Sequence, residues 1–398
     1  MNIQTEVRNA TLDDLVPLLQ AQHEAKLDVV IPATNLRSEG ALLKVKGITV
    51  FDDATIRPTA IMDGHIAQRL DIPVKYVRRL RAERPDLYDA NFNGWIHGLT
   101  ATDVDGQDIP ADERNFLLRT FLDPDGGEGI GRALLSDRYA PIENLDVLMA
   151  ALSAIQESGI DAQVVRSNLS ETRMSVRFAA PGIAALAPEL LKGYNAPVAG
   201  WGDLNAVRAV AEREGKAYAP GTEPVVFAGF DLDNSETGGG AFVLCPVITV
   251  QICGNGLRLD VAQVRKVHLG AQLEEGNLVW SQETKEATVA LVKSQTKDAV
   301  KAFLDLDFLR GEVAKIEALA GVEVTDPLKT VSAVSKALAY TDEQAAGILG
   351  HFVKGGQMTA GGVLNAVTSF AQTVESPDEA FALEDKAVQT LELVAALR

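Results

Sequence analysis

The chain has 398 residues, of which 46% are hydrophobic and 23% are charged. These proportions are those of a soluble globular protein, and the length suits roughly two or three domains. A disordered chain, a collagen and a disulfide scaffold are thereby excluded. With 37 basic and 55 acidic residues the formal net charge is −18. The molecule as a whole therefore repels polyanions, and any contact with nucleic acid requires a local basic surface.

The cysteine content and the hydropathy pattern indicate the compartment. The two cysteines, Cys245 and Cys253, are too few for an extracellular disulfide framework, and their spacing fits neither a zinc knuckle nor a CxxC redox motif. The N-terminus lacks a basic segment followed by an apolar run, and no stretch reaches about 18 uninterrupted apolar residues. We therefore expect a protein of the reducing cytoplasm with no membrane partner.

Residues 1–114 predict an N-terminal α/β segment. Short strands are expected around Asp28–Ile31 and Ala41–Val45, where apolar residues are concentrated. The stretch from Met62 to about Arg84 is helical in pattern. It is interrupted at Pro73, and Pro85 is expected to end it.

Residues 115–282 predict a mainly antiparallel sheet with one or more helices. Apolar runs separated by Asn, Asp and Gly are typical of hairpins, whereas a period of 3.6 residues indicates a helix over Asn144–Ser158. The expected strands are Asn115–Leu122, the segment IGRALLSDRY, AQVVRS, RMSVRF, Val225–Asp231 and Ala241–Ile252.

Residues 283–398 predict an all-α unit. Glu283–Leu319 reads as one long helix or two broken ones, and hydroxyl caps at Thr341 and Ser376 mark later helix starts. Further helices are expected over Asp326–Ala339, Asp342–Val353, Gly361–Thr373 and Asp378–Leu397. The fold class predicted for the chain is α+β, with a central, mainly antiparallel sheet, flanking helices and an all-α C-terminal unit.

The common motifs of phosphate, metal and nucleophile chemistry are absent from the sequence. There is no Walker A loop, no G-x-S-x-G elbow and no HExxH or similar spacing among the five histidines. We predict neither a metal site nor a cofactor.

The densest polar segment is Asn234–Gly240, and Cys253–Gly256 and Arg265–Gly270 follow it closely. If the flanking strands pair, these groups converge at one end of the sheet, with Glu236 and His268 as candidate acid and base. The alternative is turn chemistry, because Asn and Gly adopt positive φ and Ser or Glu caps a turn.

The second candidate is a basic island, Arg69–Arg84, which holds six basic residues against Asp71 and Glu83. Its pattern resembles a helix-turn-helix, although Asp71 stands where Gly is usual. In a nucleic-acid interface Tyr76 stacks on a base, and phosphate is contacted by Lys75, Arg78, Arg79, Arg81 and Arg84. The alternative is a solvated helix face over an ordinary packed helix pair.

Three segments together resemble a known family. They are Leu135–Asn144, then Asn234–Gly238 with Cys253–Gly256 and His268–Gly270, then Thr359–Thr368. The order is similar to that of the phage/plasmid-like domain-of-unknown-function family 932, over about residues 40 to 375. The resemblance implies a role with mobile elements in a bacterial host cell. It also implies a shared site of unstated role at Asn234, Ser235, Glu236, Gly238, Cys253, Asn255, Gly256 and His268.

These observations lead to three hypotheses. The first is a non-enzymatic, phage- or plasmid-type protein of DNA metabolism that binds single-stranded or duplex DNA, with a homo-oligomer promoting annealing or recombination. The second is a hydrolytic or metal-assisted enzyme that uses Asn234, Glu236, Asn255 and His268. The third is an acidic structural protein that acts on a host protein.

Overall fold

The computed structural model describes residues 3–47, 52–98, 108, 110–122, 127–196, 204–219, 222–251, 256–259, 264–266, 276–277 and 282–397. Within these ranges the chain has the predicted α+β fold. The strands are β1 Val7–Ala10, β2 Lys26–Pro32, β3 Leu36–Glu39, β4 Leu42–Val45, β5 Ala54–Pro58, β6 Asn115–Phe121, β7 Gly129–Ser136, β8 Gln163–Leu169, β9 Met174–Leu186, β10 Val225–Asn234, β11 Phe242–Val250, β12 Gly256–Arg258, β13 Val264–Lys266 and β14 Gly276–Asn277.

The helices begin mostly at the hydroxyl, carboxyl or proline residues that favour a helix N-terminus. They are α1 Leu12–Ala25, α2 Ala60–Leu70, α3 Val74–Glu83, α4 Pro85–His97, α5 Asn144–Ser158, α6 Pro188–Leu191, α7 Leu204–Arg213, α8 Gln282–Phe303, α9 Leu306–Ala320, α10 Pro327–Ala337, α11 Asp342–Gly355, α12 Ala360–Ala371, α13 Pro377–Asp385 and α14 Ala387–Ala396.

One sheet, the N-terminal sheet, has the strand order β14-β2-β6-β7-β5-β4-β3. Its pairs are antiparallel except β5 with β7, which are parallel. Helices α2, α3 and α4 share an apolar core with this sheet. Because β6 and β7 pair with β2 and β5, the sheet crosses the boundary predicted after residue 114.

The other sheet, the central sheet, has the order β1-β8-β9-β10-β11-β12, and β13 also pairs with β11. All of these pairs are antiparallel, as predicted. Every residue of β10 is buried. One core joins this sheet to α1, α5 and the C-terminal helices, while α7 packs on β9 and β10 in a smaller cluster.

The C-terminal helical unit consists of α8 to α14, and α8 begins at Gln282, where the strand pattern of the sequence ends. Helix α12 lies at its centre, with nearly every residue buried. Its Asn365 is fully buried and donates from Nδ2 to the carbonyl of Leu190 at 2.9 Å. The Thr359–Thr368 segment of the resemblance therefore forms part of the packed interior.

One predicted helix boundary is right and one is wrong. The helical stretch ends at Glu83, before Pro85, as predicted, and Pro85 begins the next helix, α4, because proline is well suited to the first turn of a helix. Asp378–Leu397 is not one helix but two, α13 and α14, which are separated at Lys386 and both pack against α12 and β12. Among the described residues, no helix has both the length and the apolar composition needed to cross a membrane.

Candidate functional site

The first half of the polar turn between β10 and β11 is buried rather than solvated, whereas Gly238–Gly240 are exposed. Asn234, Ser235, Glu236 and Thr237 are between 0% and 7% exposed. The Ser235 hydroxyl donates to the carbonyl of Thr172 at 2.6 Å and accepts from the Gly239 amide at 2.8 Å. The sequence places Asn and Gly here as turn residues, and the hydrogen bonds show that the side chains also bind the turn to neighbouring segments.

The turn contacts the start of α5, about ninety residues earlier in the chain. Asn234 donates from Nδ2 to the carbonyl of Ile142 and to Oδ1 of Asn144, both at 2.8 Å. The hydroxyl of Tyr139 donates to the carbonyl of Ser235 at 2.9 Å. Two of the three segments that carry the family resemblance therefore meet in the structure.

Glu236 has donors on both carboxylate oxygens. Its Oε1 accepts from the backbone N–H of Asn144, in the first turn of α5, at 2.6 Å. Its Oε2 pairs with Nη2 of Arg132 at 2.5 Å, and its carbonyl accepts from Arg119 at 2.6 Å. Because Arg119 and Arg132 belong to the N-terminal sheet, Glu236 joins that sheet to the central one.

These groups form the inter-sheet junction, defined as Asp28, Arg119, Arg132, Glu143 and Glu236. Arg119 is fully buried, binds Asp28 through two hydrogen bonds of 3.0 and 2.8 Å, and binds Glu143 at 2.8 Å. Burial alone raises the pKa of Glu143, but the charges of Arg119 and Lys26 outweigh it and hold that pKa well below its ordinary value. The junction therefore contains ionised groups that depend on one another.

The predicted acid and base are not both within the described residues. Glu236 is described, whereas Cys253, Asn255 and His268 lie outside the described ranges. The pairing of Glu236 with His268 stays a prediction. The observed contacts of Glu236 are those of a residue that positions two sheets.

A second buried ionic network lies within the central sheet. Arg177 on β9 binds Asp231 on β10 through two hydrogen bonds of 2.8 Å, and Arg258 on β12 binds Asp231 at 2.6 Å. Glu384 of α13 accepts from Arg177 at 2.9 Å and so ties the helical unit to the sheet. Gly256 is required beside this network, because a Cβ there would lie 2.0 Å from Nη1 of Arg177.

A cleft of about 380 Å³ lies beside the polar turn. Its walls carry two cations, Arg173 and Arg258, which both stack on Phe381, and two carboxylates, Asp233 and Asp385. Within the described ranges, no group of three or more His, Cys, Asp or Glu side chains is arranged to hold a metal ion. The cleft is of mixed charge and does not select one class of ligand.

The basic island spans the end of α2, the turn and α3, in the order that the helix-turn-helix pattern predicts. Asp71 has φ +54°, so it adopts the left-handed conformation that Gly usually supplies and that Asp tolerates. Ala67, Val77 and Leu80 are buried, as the pattern requires. The helix pair is therefore packed by its apolar residues, and its basic residues are distributed around the outside.

The six candidate interface residues separate into two groups. Arg81 pairs with the buried carboxylate of Asp63 at 2.7 Å, and Arg84 pairs with Asp86 through two hydrogen bonds of 2.9 and 2.6 Å. Both acids lie outside the window in which the sequence was counted. The exposed remainder, which we call the α3 face, consists of Lys75, Tyr76, Arg78 and Arg79.

Comparison of the chain with family models, with curated proteins and with solved structures finds no match in any of the three. The resemblance to the phage/plasmid-like family therefore stays a prediction that rests on the three segments. The contacts between Leu135–Asn144 and Asn234–Gly238 are a property of this structure whatever the family.

Proposed function

We propose that this chain is a non-enzymatic nucleic-acid-binding protein of phage or plasmid DNA metabolism, acting in the cytoplasm of a bacterial host, and that the α3 face is its interface. The observation that carries the proposal is the exposure of three cations and one aromatic ring on a single short helix. Lys75, Arg78 and Arg79 are exposed, and the Tyr76 side chain is 46% exposed beside them.

The cations of the α3 face are available to an anion. Lys75 has no carboxylate partner among the described residues. Arg79 pairs with Glu83 at 2.9 Å, but both side chains are more than 60% exposed, and solvent screens such a pair so that it contributes little. A phosphate group can therefore replace Glu83 at little cost.

Arg78 combines two roles. One of its guanidinium nitrogens donates to the carbonyl of Ala60 at 2.8 Å, which fixes α3 against the start of α2, while the side chain stays exposed. This contact orients the cation before any ligand arrives. Pre-ordering of this kind lowers the entropy cost of binding.

The aromatic ring of Tyr76 favours unpaired bases. An exposed ring beside Arg and Lys offers a stacking platform that accepts any base, since every base has a π-face. A homo-oligomer would align several such faces along one strand, as annealing or recombination requires. The acidic remainder of the chain would keep binding confined to these faces.

The proposal is tested by the salt dependence of DNA binding. The full chain is titrated with a labelled single-stranded and a labelled duplex oligonucleotide at about 50 and about 200 mM salt. We expect binding at low salt. The variant Lys75→Ala/Arg79→Ala should bind more weakly and lower the slope of log affinity against log salt by about two, close to one per lost phosphate contact.

The matched control is Lys329→Ala/Lys336→Ala, which removes two exposed cations from α10 in the helical unit. Its affinity and slope should equal those of the wild type. An absence of binding by the wild type at low salt overturns the proposal, and so does an equal loss in the test and control variants. A preference for the single strand that disappears in Tyr76→Ala would assign the stacking role to this ring.

A further inference from the structure

A groove of about 410 Å³ opens at one end of the N-terminal sheet, where β3 is the last strand of the sheet order. Strands β3, β4 and β5 form it together with the end of α4. Its cationic and titratable side chains are Arg37, Lys44, Lys46 and His97, and its acid is Asp53. It lies apart from the polar turn and from the α3 face.

Within the part of the chain that the structure describes, the cations of this groove form no ion pair. In the ranges that the structure describes, no carboxylate lies within ion-pair distance of Arg37, Lys44 or Lys46. The carboxylate of Asp53 accepts instead from the backbone N–H of Gly47 at 2.7 Å. In a chain with 55 acidic residues, the described lining of this groove holds three cations and one carboxylate, so it carries a net positive charge.

The strand register places two of these cations directly opposite each other. Arg37 on β3 is the cross-strand partner of Lys44 on β4. Like charges in this position repel and destabilise an antiparallel pair. Lys44 in turn lies opposite Thr55 and donates from Nζ to its hydroxyl at 3.0 Å, which holds the ammonium group on this face. A bound anion between the two cations would turn the repulsion into attraction.

We propose that this groove binds phosphate groups of a nucleic-acid backbone, as a second site beside the α3 face. The guanidinium of Arg37 suits two phosphate oxygens at once, whereas Lys44 and Lys46 act as point charges. His97 also lines the groove, and its Nε2 lies 2.9 Å from the carbonyl oxygen of Leu36, the first residue of β3. This second site rests on the proposed nucleic-acid-binding function, and its ligand is the phosphate backbone of that nucleic acid.

The two sites belong to one packed unit. Helix α4 packs against β3 on one side and against α3 on the other, and all three elements share the same apolar core. A strand that binds both sites would therefore meet a fixed arrangement of charges. Binding at two linked sites raises the affinity above that of either site alone.

The experiment compares three variants of the full chain: Arg37→Ala/Lys46→Ala in the groove, Lys75→Ala/Arg79→Ala on the α3 face, and the control Lys329→Ala/Lys336→Ala. Arg37 and Lys46 are exposed, and removing Arg37 relieves its repulsion with Lys44, so the groove variant should not unfold at a lower temperature than the wild type. With labelled single-stranded DNA, we expect the groove variant to lower the salt slope by about two, as the α3-face variant does. The charge reversal Arg37→Glu should weaken binding more than removal of the Arg37 charge alone.

Each outcome separates the two proposals. A groove variant that binds DNA like the control, while the α3-face variant is weakened, overturns the inference and leaves the proposed function standing. The reverse pattern supports the groove and refutes the α3 face. Equality of all three variants refutes both.

A competition arm identifies the source of the phosphate. ATP or inorganic pyrophosphate is added to the complex of wild-type protein and DNA at the same total phosphate concentration as the DNA. We expect little displacement, since a free nucleotide lacks the linked second contact. Full displacement from the wild type, with tight ATP binding that is lost in the groove variant, would make this a nucleotide pocket and overturn the assignment to a backbone.

Discussion

Replacement of Arg119 by methionine tests whether the inter-sheet junction holds the two sheets together. Methionine keeps much of the side-chain volume but removes the guanidinium, and with it the bonds to Asp28, Glu143 and the carbonyl of Glu236. Breaking a buried ion pair costs about 3–5 kcal/mol, because the partner charge is left uncompensated. A buried carbonyl without a donor adds about 1–3 kcal/mol.

The expected loss is therefore about 4–8 kcal/mol in the free energy of unfolding, a large part of the 5–15 kcal/mol typical of a folded protein. Urea unfolding followed by far-ultraviolet circular dichroism measures it. The matched control is Arg57→Met on β5, in the same sheet. Arg57 pairs with Glu128, both side chains are more than 40% exposed, and its loss should cost no more than about 1 kcal/mol.

The pH dependence of the free energy of unfolding is a second measurement that tests this prediction. In the wild type the pKa of Glu143 is depressed, so its contribution to stability is full above the ordinary value of 4.5 and is lost as the pH falls below that value. Without Arg119 the burial of Glu143 is offset only by Lys26 and Arg132, and its pKa rises. The difference between wild type and variant should therefore be largest near neutral pH and should shrink below pH 4.5.

A double variant completes the test. Asp28→Asn removes one of the carboxylates that Arg119→Met leaves without a partner, so the double variant should be more stable than Arg119→Met alone. A loss below about 1 kcal/mol for Arg119→Met, or a loss that is the same at neutral and acidic pH, would refute the reasoning.

Three further predictions concern other parts of the chain. Arg81→Met should lower the free energy of unfolding by about 3 kcal/mol or more, because it leaves the buried Asp63 without its cation, and chemical unfolding will measure it. Asp231→Asn should flatten the fall in stability as the pH drops from 3.8 to about 2. Burial raises the pKa of Asp231, but Arg177 and Arg258 lower it more, to about 2. Unfolding midpoints measured across this pH range check the prediction, and an unchanged slope would contradict it. Gly238→Ala should cost about 1–2 kcal/mol in a thermal unfolding series, because Gly238 has φ +81° and a Cβ there would lie 2.7 Å from the side chain of Leu135.

Local sequence patterns are sufficient to predict many of the helices and strands and many of their boundaries. The alternation of apolar residues and the turn residues between them predict the hairpins of the central sheet, and the hydroxyl caps at Thr341 and Ser376 begin α11 and α13 as expected. These features depend on residues only a few positions apart. The helix α3 ends before Pro85 as predicted, but the sequence pattern does not show that Pro85 also begins the next helix.

Whether a charged side chain is paired depends on residues that no local sequence pattern identifies. The basic island seemed unbalanced because Asp63 and Asp86 lie just outside it, yet they pair with Arg81 and Arg84. The signal that could have found the junction was a charged residue, Arg119, within an otherwise apolar strand. The groove of Arg37, Lys44 and Lys46 had no such signal, because it arises from the pairing of three strands with the end of a helix.

The sequence by itself determined the fold class, the acidic character of the chain and the presence of a local concentration of basic residues. These properties follow from composition and from periodicities of two and 3.6 residues, which act over short distances along the chain. Only the tertiary structure decided which cations are consumed in buried pairs and which stay exposed to an anion. The physical reason is that ion pairs form between strands and helices that the fold brings together. The partners can therefore lie far apart in the sequence, as Arg119 and Asp28 do, 91 positions from each other.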